Sequence, residues 1–255
     1  MTYCLGMHLD DGLVMVADTR TNAGVDNISS YRKLHCLAGE PGRQIYVATS
    51  GNLSVTQTVI SLLQEGLPPG DEANLITRTL GQATSMFRAA QLVGEALQLA
   101  NKTVGDALES LNIPSGASML LGGRIGDEPP KLYLIYEAGN FIECHDEVPF
   151  LQIGETKYGR PILDRALRRS TPIPQAVKIA FLSFDSSIRS NVAVARPLDL
   201  MIMRSNPRVP VLTRRIEADD IYFNDLSKRW SALLSEAAAS IPDPDFLAER
   251  SGVGG

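Results

Sequence analysis

Apolar and polar positions follow two different periods along this chain, and the changes between them mark its organisation. Residues 2–8 are short, apolar and β-compatible, and residues 13–17 repeat that character. Asp10-Asp11-Gly12 between them is a hairpin turn signal. Residues 19–30 are polar, include Gly24, and predict a loop. A third strand is predicted over 33–37 and a fourth over 44–48, after the turn Pro41-Gly42. Helical spacing then takes over. Val55, Val59, Leu62 and Leu63 line one face of residues 54–65. Residues 75–100 read as one longer amphipathic helix, with Gly81 and Gly94 each costing about 1 kcal/mol relative to Ala.

Strands are predicted again after Pro114-Ser115-Gly116, at 117–122, 131–137, 141–144 and 150–153. Helices are predicted at 156–169 and 173–186, strands at 193–203 and 210–216, and a last amphipathic helix at 219–239. The order is strands, two helices, strands, two helices, strands, helix. Two sheets stacked between helical layers satisfy it, in an α+β fold. Without an internal repeat or linker, residues 1–255 are expected to form a single domain, with a frayed tail after Pro242.

Composition narrows the class only a little. The chain is 44% apolar and 21% charged, as ordinary globular proteins are. A net charge of −5 with no long basic run argues against a nucleic-acid partner. The three cysteines, Cys4, Cys36 and Cys144, form no CxxC pair, which fits buried thiols in a reducing compartment. No secretory signal and no membrane-length apolar run are readable, so a cytoplasmic protein is expected. His8, His35 and His145 have no metal-ligand spacing. Gly122-Gly123-Arg124-Ile125-Gly126 lacks the lysine and the strand–helix setting of a phosphate loop. Neither a metal nor another cofactor is expected.

The chemistry concentrates near the start. Thr2 follows the initiator methionine, and small second residues permit its removal. A threonine exposed in this way carries a hydroxyl nucleophile and a free α-amine about 3 Å apart, within general-base reach. That amine has an ordinary pKa of about 7.7–8.0, so one residue supplies nucleophile and base. Asp18 closes the second predicted strand and Lys33 opens the third. An antiparallel arrangement brings both beside the first residue of strand one. A lysine there lowers the hydroxyl pKa, and an aspartate keeps the lysine charged and oriented.

Several segments together carry a family resemblance. They are Thr2-Tyr3-Cys4-Leu5-Gly6, Ala17-Asp18-Thr19-Arg20, Tyr31-Arg32-Lys33-Leu34-His35 and Ser50-Gly51. To these add Arg20-Thr21-Asn22-Ala23-Gly24-Val25-Asp26, Gly154-Glu155-Thr156-Lys157-Tyr158-Gly159 and Ser187-Ile188-Arg189-Ser190-Asn191. The chain resembles proteasome β-type subunits from residue 2 to about 205, and most closely the bacterial Anbu (ancestral β subunit) branch. The extension from about 205 is also like Anbu. The resemblance implies an N-terminal nucleophile hydrolase with a four-layer αββα sandwich. It implies Thr2 as nucleophile, Asp18 and Lys33 as its charged pair, and the Gly51 N–H as oxyanion donor. Asp185, at the end of the predicted helix, resembles the family's later aspartate, and Ser190, in the loop after it, a polar residue that follows. Asn22 and Gly51 match backbone positions that hold substrate by strand addition, and Thr49 a lining of the side-chain pocket. Glu155 stands where family members often carry a serine.

The function so implied is a threonine endopeptidase of protein catabolism. Its partners would be copies of itself in a ring or an open helix, peptide or unfolded-protein substrates, and an ATPase unfoldase supplied by another chain. Two other readings remain open at this point. One is an amidase acting on small molecules, and the other a non-catalytic ring or scaffold subunit. Fold alone does not choose among them.

Overall fold

The computed structural model describes residues 2–22, 28–69 and 77–247. Met1, the predicted turn at Gly24, the predicted helix start at Leu75 and the tail from residue 248 lie outside them. The fold is α+β. The unit Met1–Ala218 contains β1 (Tyr3–Leu9), β2 (Gly12–Asp18), β3 (Arg20–Asn22), β4 (Ile28–Ser30), β5 (Leu34–Glu40) and β6 (Arg43–Gly51). Next come α1 (Leu53–Glu65), α2 (Met86–Ala100), α3 (Asp106–Ser110), β7 (Ala117–Ile125), β8 (Lys131–Ile135), β9 (Phe141–Glu143) and β10 (Phe150–Gly154). It closes with α4 (Arg160–Ala166), α5 (Ile173–Ser190), β11 (Leu198–Arg204) and β12 (Leu212–Ile216). The unit Asp219–Gly255 contains α6 (Ile221–Ala239), capped by the Asp220 carboxylate on the Phe223 N–H.

Two five-stranded antiparallel sheets, in the orders β10-β1-β2-β11-β12 and β5-β6-β7-β8-β9, and the two-stranded β3–β4 form the first unit. Alternation in the second sheet explains its two faces. Ile45, Val47, Met119, Leu121, Tyr133 and Ile135 pack with the apolar faces of α1 and α2. Tyr46, Ala48, Leu120 and Leu132 turn the other way and share a core with Cys4, Leu13, Met15, Ala17 and Met201 of the first sheet. β1 and β2 are buried along their whole length, so they read as continuous apolar runs rather than alternating ones. On the far side of the first sheet α5 packs against them, with Phe184 stacked on Tyr3 at 4.3 Å between ring centroids.

Three expectations are corrected. The polar stretch 19–30 contains the short hairpin β3–β4, paired Arg20↔Ser30 through Asn22↔Ile28. Strands of three residues carry too little side-chain pattern to be seen. The helix predicted over 75–100 is broken: a 3₁₀ turn occupies Leu80–Gln82, and α2 starts only after Ser85, whose hydroxyl caps the Arg88 N–H. Helix α5 runs on to Ser190, beyond the predicted end at 186, with Ser183, Phe184, Asp185 and Ser187 all buried.

Gly94 explains its own presence inside α2. A Cβ there would lie 2.1 Å from the Gly139 carbonyl oxygen, in the turn between β8 and β9. In an exposed helix Gly→Ala stabilises by about 1 kcal/mol. Here Gly94→Ala is expected to destabilise by about 2 kcal/mol through overpacking, read as a lower urea midpoint with an unchanged slope.

Candidate active site

The register of the first sheet places Thr2. Cys4 pairs with Ala17 of β2, and Tyr3 with Gly154 of β10, so Thr2 sits at the mouth where three strand ends meet. It is buried, and its carbonyl accepts the Glu155 N–H at 2.6 Å. Gly154 has φ +83°, and a Cβ on it would stand 2.0 Å from the Thr2 carbonyl oxygen and 3.0 Å from Ser50 Oγ. Only glycine allows β10, Thr2 and the end of β6 to converge so closely.

Asp18 ends β2 and is fully buried. Its Oδ1 accepts the Tyr3 N–H at 3.0 Å and Lys33 Nζ at 2.8 Å. Lys33 Nζ also donates to the Arg20 carbonyl at 2.5 Å, and the Lys33 carbonyl accepts the Thr49 N–H at 3.0 Å. The pair is therefore fixed from both sheets and from the hairpin β3–β4. Burial pushes the Asp18 carboxyl above the usual carboxylate range, while the Lys33 charge and the Tyr3 and Ala195 amides pull the other way. Cys4 lies one residue further in, its thiol donating to the Thr49 carbonyl at 3.6 Å. Burial raises that thiol's pKa, which leaves it protonated and unreactive.

The remaining predicted residues are placed as follows. Gly51 ends β6 at φ +113°, opposite Ala117, with no room for a Cβ against the Gly116 carbonyl. Asn22 is the last residue of β3. Thr49 lines a cavity of about 300 Å³ with Arg32, His35 and Thr56. Glu155 is buried, its carboxylate accepting the Lys157 N–H at 2.9 Å and Asn191 Nδ2 at 2.8 Å. Asp185 lies within α5, as the predicted helix 173–186 has it, and Ser190 is the last residue of α5 rather than in a loop after it: Asp185 is buried and pairs with Arg189 at 3.0 Å, while Ser190 is exposed. The residue that reaches from this region to the neighbour of Thr2 is Asn191, one position beyond Ser190. Asn191 was visible only as part of the Ser190-Asn191 motif, and nothing in the sequence pointed to the contacts of Ser50 or the Arg20 carbonyl. Among the described residues, no group of three or more His, Cys, Asp or Glu side chains is placed to hold a metal ion.

Neither a protein-family model nor a curated protein sequence matches the chain. Solved structures do. Anbu from Hyphomicrobium sp. strain MC1 is 43% identical, with a TM-score of 0.83 over 96% of this chain and 100% of that one. Anbu (ancestral beta-subunit) from Yersinia bercovieri is 40% identical, with a TM-score of 0.84 over 96% and 99%. A structure described as the helical assembly of the Anbu complex from Pseudomonas aeruginosa is 41% identical, with a TM-score of 0.84 over 95% and 98%. The class is thus that of the proteasome-like relatives among N-terminal nucleophile hydrolases. Within it, the chain belongs to the Anbu family.

The buried pair makes a prediction independent of activity. Lys33→Met leaves the Asp18 carboxylate without its cation and is expected to cost about 3–5 kcal/mol. The variant's Asp18 would hold its proton more tightly folded than unfolded. Its stability is then greatest below the usual carboxylate range and is lost as pH rises through the raised folded pKa. Urea melts at pH 5 and pH 8 should show the larger deficit at pH 8.

Proposed function

We propose that the chain is a proteasome-type threonine peptidase built on a four-layer αββα sandwich, with Thr2 as nucleophile once Met1 is removed. The observation that carries this reading is Asp18 Oδ1, which accepts both the Lys33 ammonium and the amide of Tyr3, the residue that follows Thr2. One carboxylate oxygen ties the cation to the first peptide of the strand. The Thr2 hydroxyl attacks the substrate carbonyl while its own amine takes the proton. Lys33 lowers the cost of forming the alkoxide, and the Gly51 N–H receives the developing oxyanion. Asn22 and Gly51 hold an extended substrate by its backbone, and Thr49 lines the pocket for one side chain. Asp185 and Ser190 complete the proposed set from the end of α5. Glu155, clamped by Lys157 and Asn191, replaces the serine of proteasome subunits beside the Thr2 peptide.

Similarity to a helical Anbu assembly supports self-association of this chain. Enclosing the sites in an assembly limits them to unfolded or short chains, so an unfoldase would have to come from another protein. A head-to-tail contact closes as a ring or climbs as a helix depending on its rotation. Among the described residues no helix is long and apolar enough to cross a membrane. We place the activity in the cytoplasm.

Intact mass of the purified protein should show loss of Met1, and an active preparation that retains it contradicts the mechanism. Thr2→Ala should lower peptide cleavage by about 10³-fold or more while assembly, read by light scattering, is kept. Retained turnover in that variant sinks the assignment. Among variants that fold, Lys33→Ala should reduce kcat more than Asp18→Asn, because the second reorients the lysine without deleting it; normal turnover in both would make the pair structural.

A further inference from the structure

The cavity beside Lys33 has a chemistry that the reaction itself does not require. Arg32 and His35 flank Lys33 in sequence and stand on one wall of its 300 Å³. Thr49 joins them from β6, and Leu53, Thr56 and Gln57 supply the opposite wall from α1. The Thr49–Lys33 backbone bond fixes this cavity to the charged pair behind Thr2. Arg32 and His35 are its sole ionisable lining groups, and no Asp or Glu lines it among the described residues. Burial and the neighbouring Arg32 lower the His35 pKa, which leaves the imidazole neutral near pH 7 as a hydrogen-bonding group.

The standing charge at the cavity is therefore that of Arg32, whose side chain is 66% exposed and also borders the neighbouring cavity that holds Asp199. Among the described residues Arg32 forms an ion pair with Asp199, whose carboxylate stands 3.8 Å from Arg32 Nε, beyond hydrogen-bond range. Asp199 is itself shared with Arg215, at a closer 3.3 Å. A carboxylate entering the cavity can thus approach Arg32 without displacing a hydrogen-bonded acid. The Thr49 hydroxyl and the Gln57 amide offer further donors, the Thr56 hydroxyl being taken by the Leu53 carbonyl at 3.0 Å, and Leu53 suits the methylene stem of a longer side chain.

We propose that this cavity selects an acidic side chain, glutamate above all, on the substrate residue that precedes the cleaved bond, with Arg32 as the specificity-determining residue. The proposal takes the position of the bond from the peptidase reading, but its selectivity is a property of binding. It is tested without cleavage, in the full-length Thr2→Ala protein. Fluorescent, C-terminally amidated tetrapeptides that differ only in a last Glu, Gln, Leu or Lys are titrated by anisotropy at low and high salt.

The Glu peptide is expected to bind about five- to ten-fold more tightly than the Gln peptide, and the gap should narrow as salt rises. Adding Arg32→Gln should bring the two within about two-fold, whereas Arg32→Lys should keep the order. Equal affinities, a preference for Leu or Lys, or no binding of any peptide overturns the proposal. So does a Glu preference that survives Arg32→Gln in a folded variant. If Arg32→Gln does not fold, the ranking in the parent protein and its salt dependence still decide. Cleavage by the unmodified sequence is measured separately: Glu-selective binding without cleavage supports this proposal and rejects the peptidase reading.

Discussion

The contact between Lys33 and Asp18 organises the region around Thr2. Two opposite charges, both almost wholly withdrawn from water, meet at 2.8 Å. Such a pair is weak evidence for stability, because desolvation offsets much of the attraction. Its value lies in geometry. The same Asp18 oxygen takes the Tyr3 amide, the same ammonium takes the Arg20 carbonyl, and the Lys33 backbone is bound to Thr49. Strands of both sheets and the intervening hairpin are referenced to one point. That is the rigidity the proposed Thr2 nucleophile would need, since small displacements of reacting groups cost large factors in rate.

Around that point the chain uses single hydrogen bonds. Glu155 reaches the Thr2 carbonyl with its N–H and keeps its carboxylate occupied by an amide and a backbone donor. The loop after α5 is fastened to the first strands by Arg20 donating to the Val192 carbonyl and Thr19 to that of Pro197. The end of α5, the turn after β10 and the end of β2 thus converge on one neighbourhood although they are far apart in sequence.

Much of this was legible beforehand where side chains carry the information. β1, β2, β6 and β7 announce themselves as apolar runs or alternations, and α1 as a 3.6-residue stripe, while its Asn52 cap is visible only in the structure. Thr2, Asp18 and Lys33 could be picked out because each lies at the edge of a strongly patterned strand. What escaped rests on backbone or on long-range convergence. The hairpin β3–β4 is held by main-chain pairing of polar residues. The true start of α2 depends on the Ser85 cap overriding an apolar rhythm that continues upstream. The last turn of α5 is fixed by buried small polar residues, such as Ser187 bonding back to the Ser183 carbonyl. Asn191 meets Glu155 across 36 residues, and no local pattern encodes such a meeting.

The three thiols differ sharply in accessibility. Cys4 and Cys144 are buried, and burial raises both their pKa values, that of Cys144 to about 12. Cys36 alone is exposed, on β5 next to His35. The protein therefore carries a ready-made attachment point for a single environment-sensitive dye, on the face of β5 opposite to His35 and beside Tyr46 and Asp199. Changes around Tyr46 and Asp199 can be followed optically in the unaltered sequence, with the Thr2 hydroxyl left untouched.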